Sequence, residues 1–157
     1  MKRLLQPISL LCLAWLLLLA LLALGAGMIA PHDPHLPAIK YRLASPGAVY
    51  WLGTDDLGRD TLSRLIFGAR TALLASFESV GIGLTAGVSL GVLVGYLGGW
   101  WDRIAMRLAD VMQSIPALLL ALALIGVLGK GLANAMVAVG VIFAVSFLRI
   151  TRAVVLA

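Results

Sequence analysis

The sequence predicts an all-α integral membrane protein, and three observations carry that reading. Of its 157 residues, 62% are hydrophobic and 12% charged, with a mean hydropathy of +1.06. A soluble domain carries about 45–50% apolar and about 25% charged residues, so this chain lacks the charge to cover a water-facing surface. Four apolar stretches approach the roughly 20 residues needed to cross about 30 Å of hydrocarbon as a helix. The basic residues fall in ones and twos at the ends of those stretches, as Lys2 and Arg3, Arg103 and Arg107, and Arg149 and Arg152. That is the placement of water-facing helix ends beside anionic lipid heads. The composition argues against a stand-alone soluble enzyme, and a net charge of +5 so dispersed does not build a nucleic-acid surface. The single cysteine, Cys12, permits neither an intramolecular disulfide nor a cysteine-based zinc cluster.

Residues 1–30 read as a tail and first span. Ile8 to Ala30 carries no charge and stops at Pro31, His32 and Asp33. It is longer than the apolar run of a signal peptide and no small-x-small site precedes Pro31, so an uncleaved span is expected. Residues 31–70 form a polar segment on the far side. Residues 71–157 hold the remaining spans, expected at about 71–97, 111–128 and 132–148. Gln113, Ser114 and Pro116 interrupt the third of the four spans, and Asn134 sits near the start of the fourth. Between the second and third, Gly98 and Gly99 break the helix. Trp100, Trp101, Ile104, Leu108 and Val111 then recur at helical spacing opposite Arg103, Arg107 and Asp110. Such a helix suits the membrane interface, apolar side down and guanidinium groups among phosphates, and equally suits the early part of a tilted third span. Lys and Arg divide equally between the two sides, six each. The unopposed basic pair before the first span favours a cytoplasmic N-terminus, because the first span usually dominates.

Three sets of residues carry information beyond span assignment. Gly83, Gly87, Gly91 and Gly95 repeat every four residues, which gives the second span one smooth face for close helix packing where lipid supplies no hydrophobic drive. Glu78, Asp110 and Gln113 are the candidate pathway groups, since polar side chains in a span face a bundle interior or an aqueous cavity. Among these, Glu78 also fits a solvated helix end. The third set is the segment Gly53, Thr54, Asp55, Asp56, Leu57, Gly58, Arg59, Asp60. Its glycines supply turns, and Asp60 caps a helix whose apolar face is Leu62, Leu65, Ile66 and Ala69. The spacing lacks the alternating oxygen ligands of a calcium loop. His32, Asp33 and His35 are scattered at a helix exit and read as interface residues, so no metal site is expected. No nucleophile with a base and no phosphate-binding glycine loop is present, so no catalytic residue is assigned.

In order along the chain, Ala30-Pro31-His32-Asp33-Pro34, Trp51 to Asp60 running on through Leu62 to Arg70, Gly95 to Trp100 with Asp102 and Arg103, Asp110 to Pro116, and Phe147 to Arg152 resemble the permease subunit of ATP-binding-cassette importers. The branch is the dipeptide, oligopeptide and nickel family, in the second permease type of each pair. The resemblance covers nearly the whole chain. It implies a multi-pass subunit of the cytoplasmic (inner) membrane with the type I fold, normally six spans, translocating di- or oligopeptides. It implies as partners a second permease subunit, ATP-binding subunits and an extracytoplasmic substrate-binding protein, with membrane lipid around it. No cofactor would be bound directly, because the partners hydrolyse ATP and the permease does no covalent chemistry. On this reading 31–70 is extracytoplasmic. The ATPase-docking loop that follows the fourth span in such permeases lies beyond Ala157, so the sequence is expected to be an N-terminal part. Two alternatives remain at this stage, a nickel importer permease and a small membrane protein that only packs with other helices.

Overall fold

The structure is a computed structural model that describes residues 7–157; Lys2 and Arg3 lie outside the described residues. Its contacts divide the chain into two compact units, one up to Leu74 and the other from Ala75 to Ala157.

The first unit opens with α1, Pro7–Leu24, an uninterrupted leucine-rich helix. At Gly25 the helix breaks and resumes as α2, Ala26–Ile29. Hydrogen bonds from Gly25 N to Leu21 O and from Ile29 N to Gly25 O, both at 2.9 Å, carry the chain across this position. The expected first span to Ala30 is thus two helices in series, stopping where Pro31 cannot donate an amide. Residues 31–60 form a compact loop whose one helical turn is Ile39–Tyr41. Its backbone folds on itself: Thr54 N donates to Ala44 O at 3.1 Å, Leu43 N to Asp55 O at 3.0 Å and Ala38 N to Leu57 O at 3.1 Å.

Helix α3, Thr61–Leu97, is 37 residues long. The second span was expected to begin at Thr71, but the short helix capped by Asp60 and the apolar run are continuous because no proline or glycine pair interrupts them. At 1.5 Å per residue it measures about 55 Å, far more than the hydrocarbon thickness.

The second unit adds α4 (Gly99–Ser114), α5 (Ala117–Leu128) and α6 (Leu132–Val155). The single span expected over 111–128 is instead a pair of helices bent by 100°. Ile115 is extended at φ −89°, ψ 129°. Pro116 explains this, because its ring disfavours helical backbone in the preceding residue and it has no N–H to continue the ladder. Among the described residues three helices, α1, α3 and α6, are long and apolar enough to cross a membrane, and a fourth crossing exists if the α4/α5 pair counts as one. Gly129 and Gly131, at φ 95° and 144°, turn the chain between α5 and α6. Asn134, which weakens the span on hydropathy, closes that turn by donating from Nδ2 to Leu128 O at 2.9 Å and Gly129 O at 3.1 Å. Helix α6 continues past the expected end at Leu148, so Arg149 and Arg152 sit on a helix rather than in a loop.

Within the second unit α3 and α6 pack through small residues. A methyl group on Gly83 would lie 2.6 Å from Phe143 Cβ, on Gly87 2.5 Å from Ala144 O, on Gly91 2.7 Å from Thr151 Cβ and on Gly95 2.9 Å from Val155 Cβ. Gly140 on α6 reciprocates, its face closed by Ile82 Cβ at 2.8 Å. The buried side chains are small or aliphatic, Ala109, Ala138, Val145 and Leu148, while large apolar residues such as Leu11 and Phe77 are exposed. That pattern suits a chain whose surroundings are hydrocarbon.

Candidate functional site: the polar cap and the paired charges

In the first unit the segment Gly53–Asp60 is a cap held by two carboxylates. Gly53 and Gly58 take positive φ, 71° and 77°. Each presses against backbone, Gly53 on Ala44 O and Gly58 on Ala38 O, with no room for a Cβ. These contacts fold Asp55 into the centre of the loop. Its Oδ1 accepts from the backbone N–H of Leu57 and of Arg59, both at 2.9 Å. Its Oδ2 accepts from Arg59 Nε at 2.8 Å and from Arg64 Nη1. Partial desolvation pushes the Asp55 carboxyl up, but the hydrogen bonds from Arg59 and Leu57 and the Arg59 charge outweigh it and hold it down at about 2.

Asp60 caps α3. Its Oδ2 accepts from Ser63 N at 3.1 Å and Ser63 Oγ at 2.6 Å, so it satisfies one of the orphan donors of the first turn. Burial raises the Asp60 carboxyl, but the hydrogen bonds from Ser63 and the nearby His32 outweigh it, so the net direction is down. Ser63 in turn accepts from His32 N at 3.0 Å. His32 Nδ1 lies 3.5 Å from Asp60 Oδ2. This chain of contacts ties the exit of the first apolar run to the start of α3. Thr54 completes the cap, accepting from Ala44 N at 2.8 Å and donating to Tyr41 O. The scattered groups His32, Asp33 and His35 are used separately: His32 on Asp60, Asp33 Oδ1 on His35 N at 2.8 Å, and the His35 ring edge-on to Phe67.

In the second unit the structure brings together charges that sequence reasoning left apart. Arg152 on α6 grips Asp102 on α4 through two hydrogen bonds, from Nη2 to Oδ2 at 2.5 Å and from Nε to Oδ1. Arg149 donates to Asp110. The signal was present in the spacing, since Asp102 and Asp110 are eight residues apart and Arg149 and Arg152 three, so each pair shares one helix face. Asp110, a candidate pathway group, is thus engaged by Arg149. Gln113 is exposed at the α4/α5 bend, beside a cavity of about 290 Å³ that Pro116 and Ser146 also line. Glu78 is exposed on α3. Among the described residues, no hydrogen bond or ion pair joins these three candidates to one another.

Residues 87–157 match a family described as binding-protein-dependent transport system inner membrane component. A glutathione transport system permease protein, GsiD, of Pectobacterium atrosepticum is 41% identical over 139 residues, covering 88% of this chain and 46% of that protein. A di/tripeptide transport system permease protein, DppC, of Pseudomonas aeruginosa is 41% identical over 150 residues, covering 92% and 50%. Over residues 87–157 the chain is similar to this family of inner-membrane components. A dipeptide permease DppC of Haemophilus influenzae is 42% identical over 153 residues, covering 92% and 51%. The chain spans about half the length of the curated relatives it matches. That similarity agrees with the all-helical architecture and with the apolar surface of the long helices.

Proposed function

We propose that the chain is a membrane-spanning permease component of an ATP-binding-cassette importer that moves di- or oligopeptides across the cytoplasmic membrane. The observation that supports this reading is the continuity of similarity, 41% identity over 92% of the chain to a di/tripeptide permease, an extent that takes in the polar cap. The relatives named above act on peptides or glutathione, so a peptide cargo is preferred over nickel. The chain works with a second permease subunit, with ATP-binding subunits that hydrolyse ATP, and with an extracytoplasmic substrate-binding protein. It binds no cofactor itself and carries no catalytic group. Its N-terminus is cytoplasmic and residues 31–70 are extracytoplasmic, which puts the cap of Gly53, Thr54, Asp55, Gly58, Arg59 and Asp60 on the side where substrate is delivered. Glu78 and Gln113 face the path between subunits, while the stripe from Gly83 to Gly95 sets helix spacing in the bundle.

Uptake of labelled dipeptide and of labelled nickel in a strain lacking the gene tests this reading. Loss of peptide uptake with nickel uptake intact is expected. Loss of nickel uptake alone would reverse the cargo assignment, and no loss of either would remove the transport function.

A further inference from the structure

Helix α4 presents a charge pattern that the permease reading leaves unused. Its two carboxylates, Asp102 and Asp110, are matched by Arg152 and Arg149 of α6. What remains on α4 is a pair of arginines one turn apart, Arg103 and Arg107, which form no ion pair among the described residues. Arg103 lies over the Trp100 ring at 5.7 Å and donates from Nε to Gly99 O at 3.3 Å. Both arginines and Trp100 line a cleft of about 630 Å³ together with Asp102, Asp110 and Arg152, and since both aspartates are already paired with α6 arginines, Arg103 and Arg107 supply its free positive charge. Leu108 lines this cleft and also an apolar groove of about 420 Å³ between α3, α4 and α6, with walls that include Leu90, Val94, Ala109 and Met112. A cationic cleft thus continues into a hydrocarbon-like groove on one amphipathic helix at the expected membrane interface.

We propose that this surface holds one anionic phospholipid, its phosphate between Arg103 and Arg107 and an acyl chain lying past Leu108 into the groove. The argument is charge complementarity joined to apolar continuity. Two uncompensated guanidinium groups beside a tryptophan select an anionic head at the membrane interface, and the groove offers almost no polar surface to anything but a hydrocarbon chain. A peptide cargo or a free anion satisfies only the cleft. The inference rests on the membrane-embedded reading of α3 and α6.

The test is native mass spectrometry of the complex purified through a tag on this chain, delipidated and then offered phosphatidylglycerol, phosphatidylcholine or inorganic phosphate. Retention of phosphatidylglycerol over phosphatidylcholine is expected. Replacing both arginines, R103Q with R107Q, should weaken it roughly thirtyfold, because each basic residue near the surface contributes about a fivefold step. The variant R103K with R107K keeps the charge and should retain most of the binding, which separates charge loss from misfolding. Dihexanoyl phosphatidylglycerol should bind more weakly than the long-chain lipid, and equal binding of the two would overturn the placement of an acyl chain in the groove. Equal retention of the two long-chain lipids, undiminished phosphatidylglycerol binding in the glutamine variant, or phosphate binding as well as the lipid would overturn the proposal. Recovery of the chain in the soluble fraction would instead overturn the membrane-embedded reading beneath it.

Discussion

Gly87→Ala isolates the packing of α3 on α6. The added methyl would sit 2.5 Å from Ala144 O, 2.6 Å from Phe147 Cβ and 3.0 Å from Ala144 Cα. Carbon atoms pack at about 3.5–4.0 Å, so α6 has to retreat by about 1 Å or distort. A gap of that size forfeits roughly a quarter to a half of each dispersion contact, and the retreat also loosens Gly83 and Gly91 on the same face. Overpacking of this kind costs about 1–3 kcal/mol. Replacing glycine by alanine also favours the helix by up to about 1 kcal/mol, which would mask part of the loss. Gly81→Ala removes that ambiguity, because the same helix has nothing within 4 Å of a Cβ at position 81. The propensity gain is common to both variants, so their difference reports packing alone. Denaturation in mixed micelles followed by far-ultraviolet circular dichroism should place Gly87→Ala about 1–3 kcal/mol below Gly81→Ala. Equal stability of the two would refute the idea that the stripe is a helix contact.

Asp60→Ala should lower the melting temperature through loss of the α3 cap, at about 1 kcal/mol, and an unchanged melt would dismiss the cap. The Asp55 carboxyl is held at about 2 against an ordinary 3.8. A depressed carboxylate stabilises the fold above its ordinary value and loses that contribution as pH falls towards the lowered one. Amide exchange at Leu57 and Arg59 should therefore stay slow from pH 7 to about 4 and rise between about 4 and about 2. Exchange already fast at pH 5 would contradict the Asp55 geometry. Arg152→Asp should weaken the α4 contact, and the exchange Asp102→Arg with Arg152→Asp should recover part of it in the same mixed-micelle assay; a charge swap no better than the single change would deny a direct pair. Replacing Asp55 and Arg59 together should impair peptide uptake while leaving membrane insertion intact, and normal uptake would reduce the cap to a spacer.

Hydropathy made the apolar runs legible, and glycine periodicity marked the face of α3 that meets α6, because both are properties of one helix read along its own axis. The bend at Ile115–Pro116 was visible as a weak point in the third span, yet its angle was not. Proline removes a hydrogen bond, but only the packing of α5 on α6 decides where the chain goes next. The continuity of α3 from Thr61 is hidden in the sequence for a related reason. Arg64 and Arg70 mark a polar start in the sequence, while a helix is stopped by backbone chemistry and not by charge. In the cap, Asp60 was readable from its place before an apolar run. The central role of Asp55 was not, because it depends on Gly58 folding the loop back against Ala38. The ion pairs of Asp102 with Arg152 and Asp110 with Arg149 span fifty and thirty-nine residues. Contacts at such separation leave no local pattern, and only helix-face spacing hinted at them.

The most direct test of the transport reading is peptide accumulation in vesicles reconstituted with the complex that purifies through a tag on this chain. Labelled dipeptide should accumulate only with ATP and the substrate-binding protein present, and the tagged chain should carry both an ATP-binding subunit and a second permease with it. A tagged chain that self-associates without those partners, in vesicles that take up no peptide, would contradict the account.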